Sequence, residues 1–259
     1  QLRPEREKMQ LGAELIGSDS AAAAVEIVNI AIEALTAAGV TGITIDFTLP
    51  DLIDALAAGP LPLGAEELEA VRAELDAKDA GALVAISPAA AAYLPLIEAT
   101  GPFHAAMERL EAFSASLGGA IDSRIAGLRA IAKPIGWDIT LTLDPTERHG
   151  FEFQNWFGFS IFAEGFIGEI GRGGSYAIAR AGETDEPAMG FSLYPDPLID
   201  AGFGDERPRR LFLPVGHDVV RAAALRAEGW HTVAALADGE DGAAQRCSHW
   251  LDGSEPRAY

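Results

Sequence analysis

One cysteine in 259 residues, Cys247, leaves nothing for an internal disulfide to join. That scarcity fits a reducing cytoplasmic setting better than a secreted scaffold, and the apolar alternation around the residue reads as a buried, inert thiol. Basic residues are few as well: 19 Lys and Arg stand against 39 Asp and Glu, a formal net charge of −20. Such an excess keeps a protein in solution and opposes approach to a polyphosphate backbone. The compact basic groups, Arg3/Arg6/Lys8 and Arg207/Arg209/Arg210, carry no interleaved aromatics, so nucleic acid is not an expected partner. No apolar run is long enough for a bilayer, because the alanine-rich stretch from Ala21 to Ala38 is broken by Glu26, Asn29 and Glu33. No basic-then-apolar leader is read at the start. The five histidines are scattered, so no metal is expected.

What the chain does have is an aromatic stretch from Asp144 to Tyr176. Phe151, Phe153, Trp156, Phe157, Phe159, Phe162 and Phe166 fall there, with Glu152, Gln154 and Asn155 threaded between them. Phe157, Phe159 and Ile161 alternate with Gly158, Ser160 and Phe162, as in a strand, and Gly171-Arg172-Gly173-Gly174 reads as a tight glycine-rich turn into a second strand. That run lacks the lysine and following helix of a phosphate loop. Apolar walls with a few oriented polar groups suit a small-molecule pocket; the same pattern also suits an aromatic sheet core with its polar residues in water.

Earlier, Met9, Leu11, Ala13 and Leu15 alternate with Gln10, Gly12 and Glu14, a strand that lines a polar cleft or faces solvent. Ser18, Asp19 and Ser20 offer caps for a helix from Ala21 to Ala38, closed by Gly39. Thr41–Leu49 alternates as a strand, and the succession implies a layered domain mixing α and β elements. From about residue 50 to 132 alanine, leucine and glutamate dominate and strand signals vanish, as in a helical insertion. Its Glu66, Glu67, Glu69, Arg72 and Glu74 read as a solvated face, and His104 as a structural residue near a helix start. Strands are expected at Trp137–Asp144 and Ala188–Tyr194, with a short helix near Pro197. After a linker at Gly204–Arg210 comes a small α/β unit, residues 209–259: strand Leu211–Val215, helix His217–Glu228, strand His231–Leu236, a short helix near Ala243 and a last strand at Ser248–Leu251.

Several of these stretches carry a family resemblance. Met9-Gln10-Leu11-Gly12-Ala13-Glu14-Leu15-Ile16-Gly17 resembles the second half of motif two of histidyl-tRNA synthetase-like proteins. His149-Gly150-Phe151-Glu152-Phe153-Gln154-Asn155-Trp156-Phe157-Gly158 resembles their histidine-specific peptide, with a segment two residues longer in place of the usual Thr-Gly. Ile170 to Tyr176 resembles their GGGRYD stretch, and Pro187 to Leu193 the start of motif three. The resemblance implies a class II synthetase-like antiparallel sheet core over residues 1–203 and an amino-acid pocket lined by Gln10, Glu14, Glu152, Phe153, Gln154, Gly173, Gly174 and Tyr176. It also implies that motif one and the first half of motif two belong before Gln1, so the chain is expected to be a fragment, or to have that part disordered or on another chain; a core lacking those strands would expose an apolar sheet edge.

The departures concern cations. The arginine of the histidine peptide is replaced by His149, that of GGGRYD by Ser175, and that of motif three by the run Tyr194-Pro195-Asp196-Pro197. Neither proline nor imidazole replaces a bidentate guanidinium on phosphate, and adenylation needs such cations. The branch of the family with such a pocket and without activation residues is the regulatory subunit of ATP phosphoribosyltransferase. That resemblance implies a noncatalytic, cytoplasmic homodimer within a hetero-oligomer. Its partner would be the short-form catalytic subunit, at the first step of histidine biosynthesis, and L-histidine its effector, with no cofactor of its own. Two alternatives remain: a histidine-activating enzyme using Arg172 or Arg180, which requires an arginine beside Gln10 and Glu14, and a stand-alone histidine sensor.

Overall fold

The structure, a computed structural model, describes residues 9–136, 138–148, 154–179, 184–204 and 209–259. The chain divides into two compact units, Gln1–Phe203 and Gly204–Tyr259. In the larger, β1 (Leu11–Ile16) leads through α1 (Ala21–Ala37) to β2 (Ile43–Thr48). Seven helices follow with one short strand among them: α2 (Leu52–Ala57), α3 (Ala65–Asp76), α4 (Ala80–Ile86), α5 (Pro88–Ala91), α6 (Leu94–Glu98), β3 (Gly101–Pro102), α7 (Phe103–Ser116) and α8 (Asp122–Ala132). The chain then returns through β4 (Thr140–Leu143), β5 (Gln154–Ala163), β6 (Gly171–Ile178), β7 (Glu186–Leu193) and α9 (Asp196–Asp200).

The strands form one sheet in the order β1-β7-β6-β5-β2-β4-β3. Every pairing is antiparallel except β2 with β4. A parallel pair needs a long crossover, and the helical block from α2 to α8 is that connection. α1 starts at Ser20, whose hydroxyl accepts the Ala23 N–H, and ends before Gly39 at a φ of 91°. Its buried stripe, Ala24, Ile27, Val28, Ala31 and Leu35, follows helical spacing and lies against β6, β7 and α8.

Register sorts each strand's residues onto two faces. On the helix-covered face Phe47, Phe159, Gly173, Phe191 and Ala13 stand in one row across β2, β5, β6, β7 and β1. Their neighbours on the opposite face are Asp46, Ser160, Arg172, Ser192 and Gly12 in one row, and Thr48, Gly158, Gly174, Gly190 and Glu14 in another. The aromatic stretch is therefore both things its sequence allowed: core on one side, polar surface on the other.

Three local expectations are corrected. Gly171–Gly174 is the interior of β6 rather than a turn; the reversal lies between Ala163 and Gly171, where Gly165 and Gly168 take φ of 85° and 82°. Glycine is needed in the strand because β5 and β7 crowd Gly173 from both sides and Gln154 and Phe157 of β5 crowd Gly174, leaving no room for a Cβ. The charged face of α3 is partly docked: Arg72 bridges Asp54 of α2 and Glu69, and Glu67 accepts the Ser87 hydroxyl. The segment around Ala243 forms turns, not a helix.

The smaller unit pairs β8 (Arg210–Leu213), β9 (His231–Ala234), β10 (His249–Asp252) and β11 (Glu255–Ala258) in the order β11-β10-β8-β9, with α10 (Val219–Ala227) as the crossover between β8 and β9. Leu211, Leu213, Ala222, Leu225 and Leu251 make its core, packed by Trp230. The added strand β11 forms a hairpin with β10 through Gly253 at a φ of 60°. Cys247 is buried. Among the described residues no helix is long and apolar enough to cross a membrane.

Candidate ligand cleft

On the polar face of the larger sheet a cleft of about 480 Å3 is lined by Gln10, Glu14, Gln154, Arg172, Gly174, Tyr176, Gly190, Phe191, Ser192 and Tyr194. Its floor follows from register: Gly158, Gly174 and Gly190 are adjacent across β5, β6 and β7. Three neighbouring strands thus carry no side chain of their own there, and the Gln154 and Glu14 side chains take the space over Gly174 and Gly190.

Five expected residues, Gln10, Glu14, Gln154, Gly174 and Tyr176, meet around this cleft. Gly173 does not: it belongs to the opposite face, where an added Cβ would lie 2.6 Å from the Phe159 ring. His149, Glu152 and Phe153 lie outside the described residues, as does Arg180. Arg172, named above only for the histidine-activating alternative, joins them, and Gly190, Phe191, Ser192 and Tyr194 are additions. Strand alternation puts Arg172 on the cleft face with Gly174 and Tyr176; reading the glycines as a turn left that face unassigned.

The entrance to β5 shows why Ser175 stands where the resemblance expects arginine. Gln154 pairs with Tyr176 and Gly158 with Gly174, so β5 carries two extra residues in a bulge. Ser175, fully buried, stitches that bulge, its Oγ 3.2 Å from the Phe157 N–H and 3.3 Å from the Phe157 carbonyl. The bulge leaves Trp156 beside Gly127, its indole donating to the Asp19 carbonyl at 2.8 Å. The motif-three position is altered too: Asp196 accepts the Met9 N–H at 2.8 Å and ties the start of the β1 segment to α9.

Among the described residues two charged side chains line the cleft, the Glu14 carboxylate and the Arg172 guanidinium. Arg172 is the one cation lining it among the described residues, and Glu169 grips it through two hydrogen bonds, Nε at 2.6 Å and Nη2 at 2.9 Å. Ser160 donates to the same carboxylate at 2.7 Å. Burial alone would lower the Arg172 pKa, but the Glu169 hydrogen bond and the charges of Glu169, Tyr194 and Glu147 outweigh it and hold the pKa above its usual value. Beside it on the same face, burial raises the Asp46 carboxyl, with Asp144 and Glu147 adding to the rise and the Thr142 hydrogen bond and Lys78 opposing it. Gln154 Oε1 is buried against Gly174 with no hydrogen-bond partner among the described residues.

Burial, a hydrogen bond to Glu14 and the charge of Glu14 raise the Tyr176 phenol to about 12. A raised folded-state pKa stabilises fully below the unfolded value near ~10, and the contribution is lost as pH climbs through the folded value. Ultraviolet titration is therefore expected to show Tyr176 ionising near pH 12, and Glu14→Gln to move that midpoint downward. An unchanged midpoint in the folded variant would disconnect the two groups.

A mostly antiparallel sheet with helices on one face and an open polar cleft on the other defines a class II synthetase-like core. The chain belongs to the histidyl-tRNA synthetase family, whose model matches residues 1–198. Among curated proteins it is similar to the ATP phosphoribosyltransferase regulatory subunit of Rhodospirillum centenum, 41% identical over 98% of this chain and 66% of that protein. It is likewise similar to the ATP phosphoribosyltransferase regulatory subunit of Paramagnetospirillum magneticum, 40% identical over 91% of this chain and 62% of that protein. The chain thus spans less than two thirds of the length of these relatives. The fold matches histidyl-tRNA synthetase from Nostoc sp. PCC 7120, with a TM-score of 0.73 at 14% identity, over 95% of this chain and 66% of that one. It also matches a chain of the ATP phosphoribosyl transferase (HisG:HisZ) complex from Thermotoga maritima, with a TM-score of 0.55 at 15% identity, over 72% and 66%.

Proposed function

We propose that the protein is the noncatalytic regulatory subunit of ATP phosphoribosyltransferase, acting with a short-form catalytic subunit at the first step of histidine biosynthesis. The observation that carries this reading is the 41% identity to a curated protein of that name over nearly the whole chain. The cleft supports it chemically. Adenylation requires cations poised over phosphate, and here Ser175 is turned into a bulge, Asp196 holds a backbone N–H and Arg172 is held by Glu169. Gln10, Glu14, Gln154 and Tyr176 suit an amino acid with several N–H donors, L-histidine, as the effector; in this reading the subunit is a cytoplasmic homodimer within the hetero-oligomer.

Mixing the purified protein with the short-form catalytic subunit of the same organism tests this. The expected result is a raised phosphoribosyl-transfer rate, co-elution of the two proteins, and no histidine-dependent ATP–pyrophosphate exchange by this protein alone. An unchanged rate without co-elution would remove the reading. A second reading, a histidine-activating enzyme, draws on the presence of Arg172 beside Glu14 in the cleft; pyrophosphate exchange would decide for it.

A further inference from the structure

We propose that Glu169 is the specificity-determining residue of the cleft, an internal anion that takes the Arg172 guanidinium and so keeps phosphate-bearing ligands out. This rests on reading the cleft as a ligand pocket, though not on any partner. The geometry is that of a bound oxyanion: two guanidinium hydrogen bonds and one from the Ser160 hydroxyl converge on the Glu169 carboxylate, at 2.6, 2.9 and 2.7 Å. A fork of this kind is how arginine holds a phosphate or carboxylate ligand. Here the acceptor comes from the chain itself, three residues earlier.

Sequence and structure make the arrangement a fixture. Glu169 and Arg172 are both largely shielded, their side chains 17% and 29% exposed. Ser160 and Arg172 are direct cross-strand partners, so register places the hydroxyl beside the guanidinium. An incoming phosphate would have to displace Glu169 from both, with Glu14 and Glu147 repelling it nearby. A ligand bearing ammonium or imidazole N–H groups meets no such obstacle, since the Glu14 carboxylate lining the cleft accepts what it offers. The device separates ligands by charge without closing the cleft.

Calorimetric titration of the whole protein with pyrophosphate tests the assignment. The wild type is expected to show no saturable binding. Glu169→Gln, which keeps shape and removes charge, is expected to bind pyrophosphate at least about tenfold more tightly, weakening with added salt, as a released charge-assisted fork would. Glu169→Gln combined with Arg172→Gln is expected to lose that gain. Ser160→Ala leaves both charges in place and frees one side of Glu169, so a smaller gain is expected there, readable even if the glutamine variant melts early. Equal pyrophosphate binding by the wild type and the folded Glu169→Gln and Ser160→Ala variants, or a gain surviving the loss of Arg172, overturns the proposal. The phosphoribosyl-transfer assay reads the proposed function separately: failure there leaves the anion-exclusion result standing, and the reverse.

Discussion

Phe47→Ala is expected to lower the stability of the larger unit by about 3–5 kcal/mol, the usual range for deleting a buried phenylalanine. Phe47 has no exposed surface and sits where the sheet meets the helical block, its ring 5.6 Å from Phe103 at the start of α7 and 5.7 Å from Phe157 in β5. It also pairs in register with Phe159 on one side and Leu143 on the other. Removing the ring opens a cavity between elements that cannot collapse without breaking those ladders, so both lost transfer energy and the void count against the fold. Since total stability of a domain is about 5–15 kcal/mol, the loss consumes a large share of it. Denaturant unfolding followed by tryptophan fluorescence reads it as an earlier midpoint. Phe162→Ala is the matched control: that ring is 37% exposed, and a loss of about 1 kcal/mol or less is expected. Equal losses would place the core elsewhere.

Gly173→Ala is expected to cost about 3 kcal/mol, at the upper end for overpacking. A Cβ there would stand 2.5 Å from the Gly190 carbonyl oxygen and 2.6 Å from Phe159 ring atoms. The ring has some room to turn; the carbonyl belongs to β7 and moves only if the β6–β7 ladder separates. Because Arg172 and Gly174 flank the position, the shift would also displace the cleft. Gly64→Ala offers the contrast, with nothing within 4 Å of its Cβ, and as the N-cap of α3 is expected to cost only about 1 kcal/mol. Thermal melts of the two variants side by side check this, and similar melting points would contradict the packing described.

Much of this was legible beforehand, for identifiable reasons. α1 announced itself through Ser20, its apolar spacing and Gly39, all local signals. The alternation of Phe157, Phe159 and Ile161 with Gly158 and Ser160 assigned β5 and its two faces. The crowding that requires glycine in the strand at Gly171–Gly174 was not legible, because it comes from β5 and β7, distant partners that leave no mark on the glycines themselves. Arg172 was named only for the alternative activity, and reading the glycines as a turn left its face unassigned, since a residue in a turn has none. The parallel pairing of β2 with β4 depends on where the helical block delivers the chain, which no local pattern records. Glu169 fell outside every motif; only its two hydrogen bonds to Arg172 draw it to the cleft.

The row of Gly158, Gly174 and Gly190 has a consequence for whatever settles above it. A guest in the cleft meets the Gly174 and Gly190 main chain, already fixed by cross-strand pairing, so the entropic penalty of binding falls on the side chains around it. Discrimination among guests must then come from those side chains, Glu14, Gln154, Tyr176 and Arg172 with the Glu169 that holds it. Changing what this protein recognises is accordingly a matter of editing a few edge positions over a base that need not move.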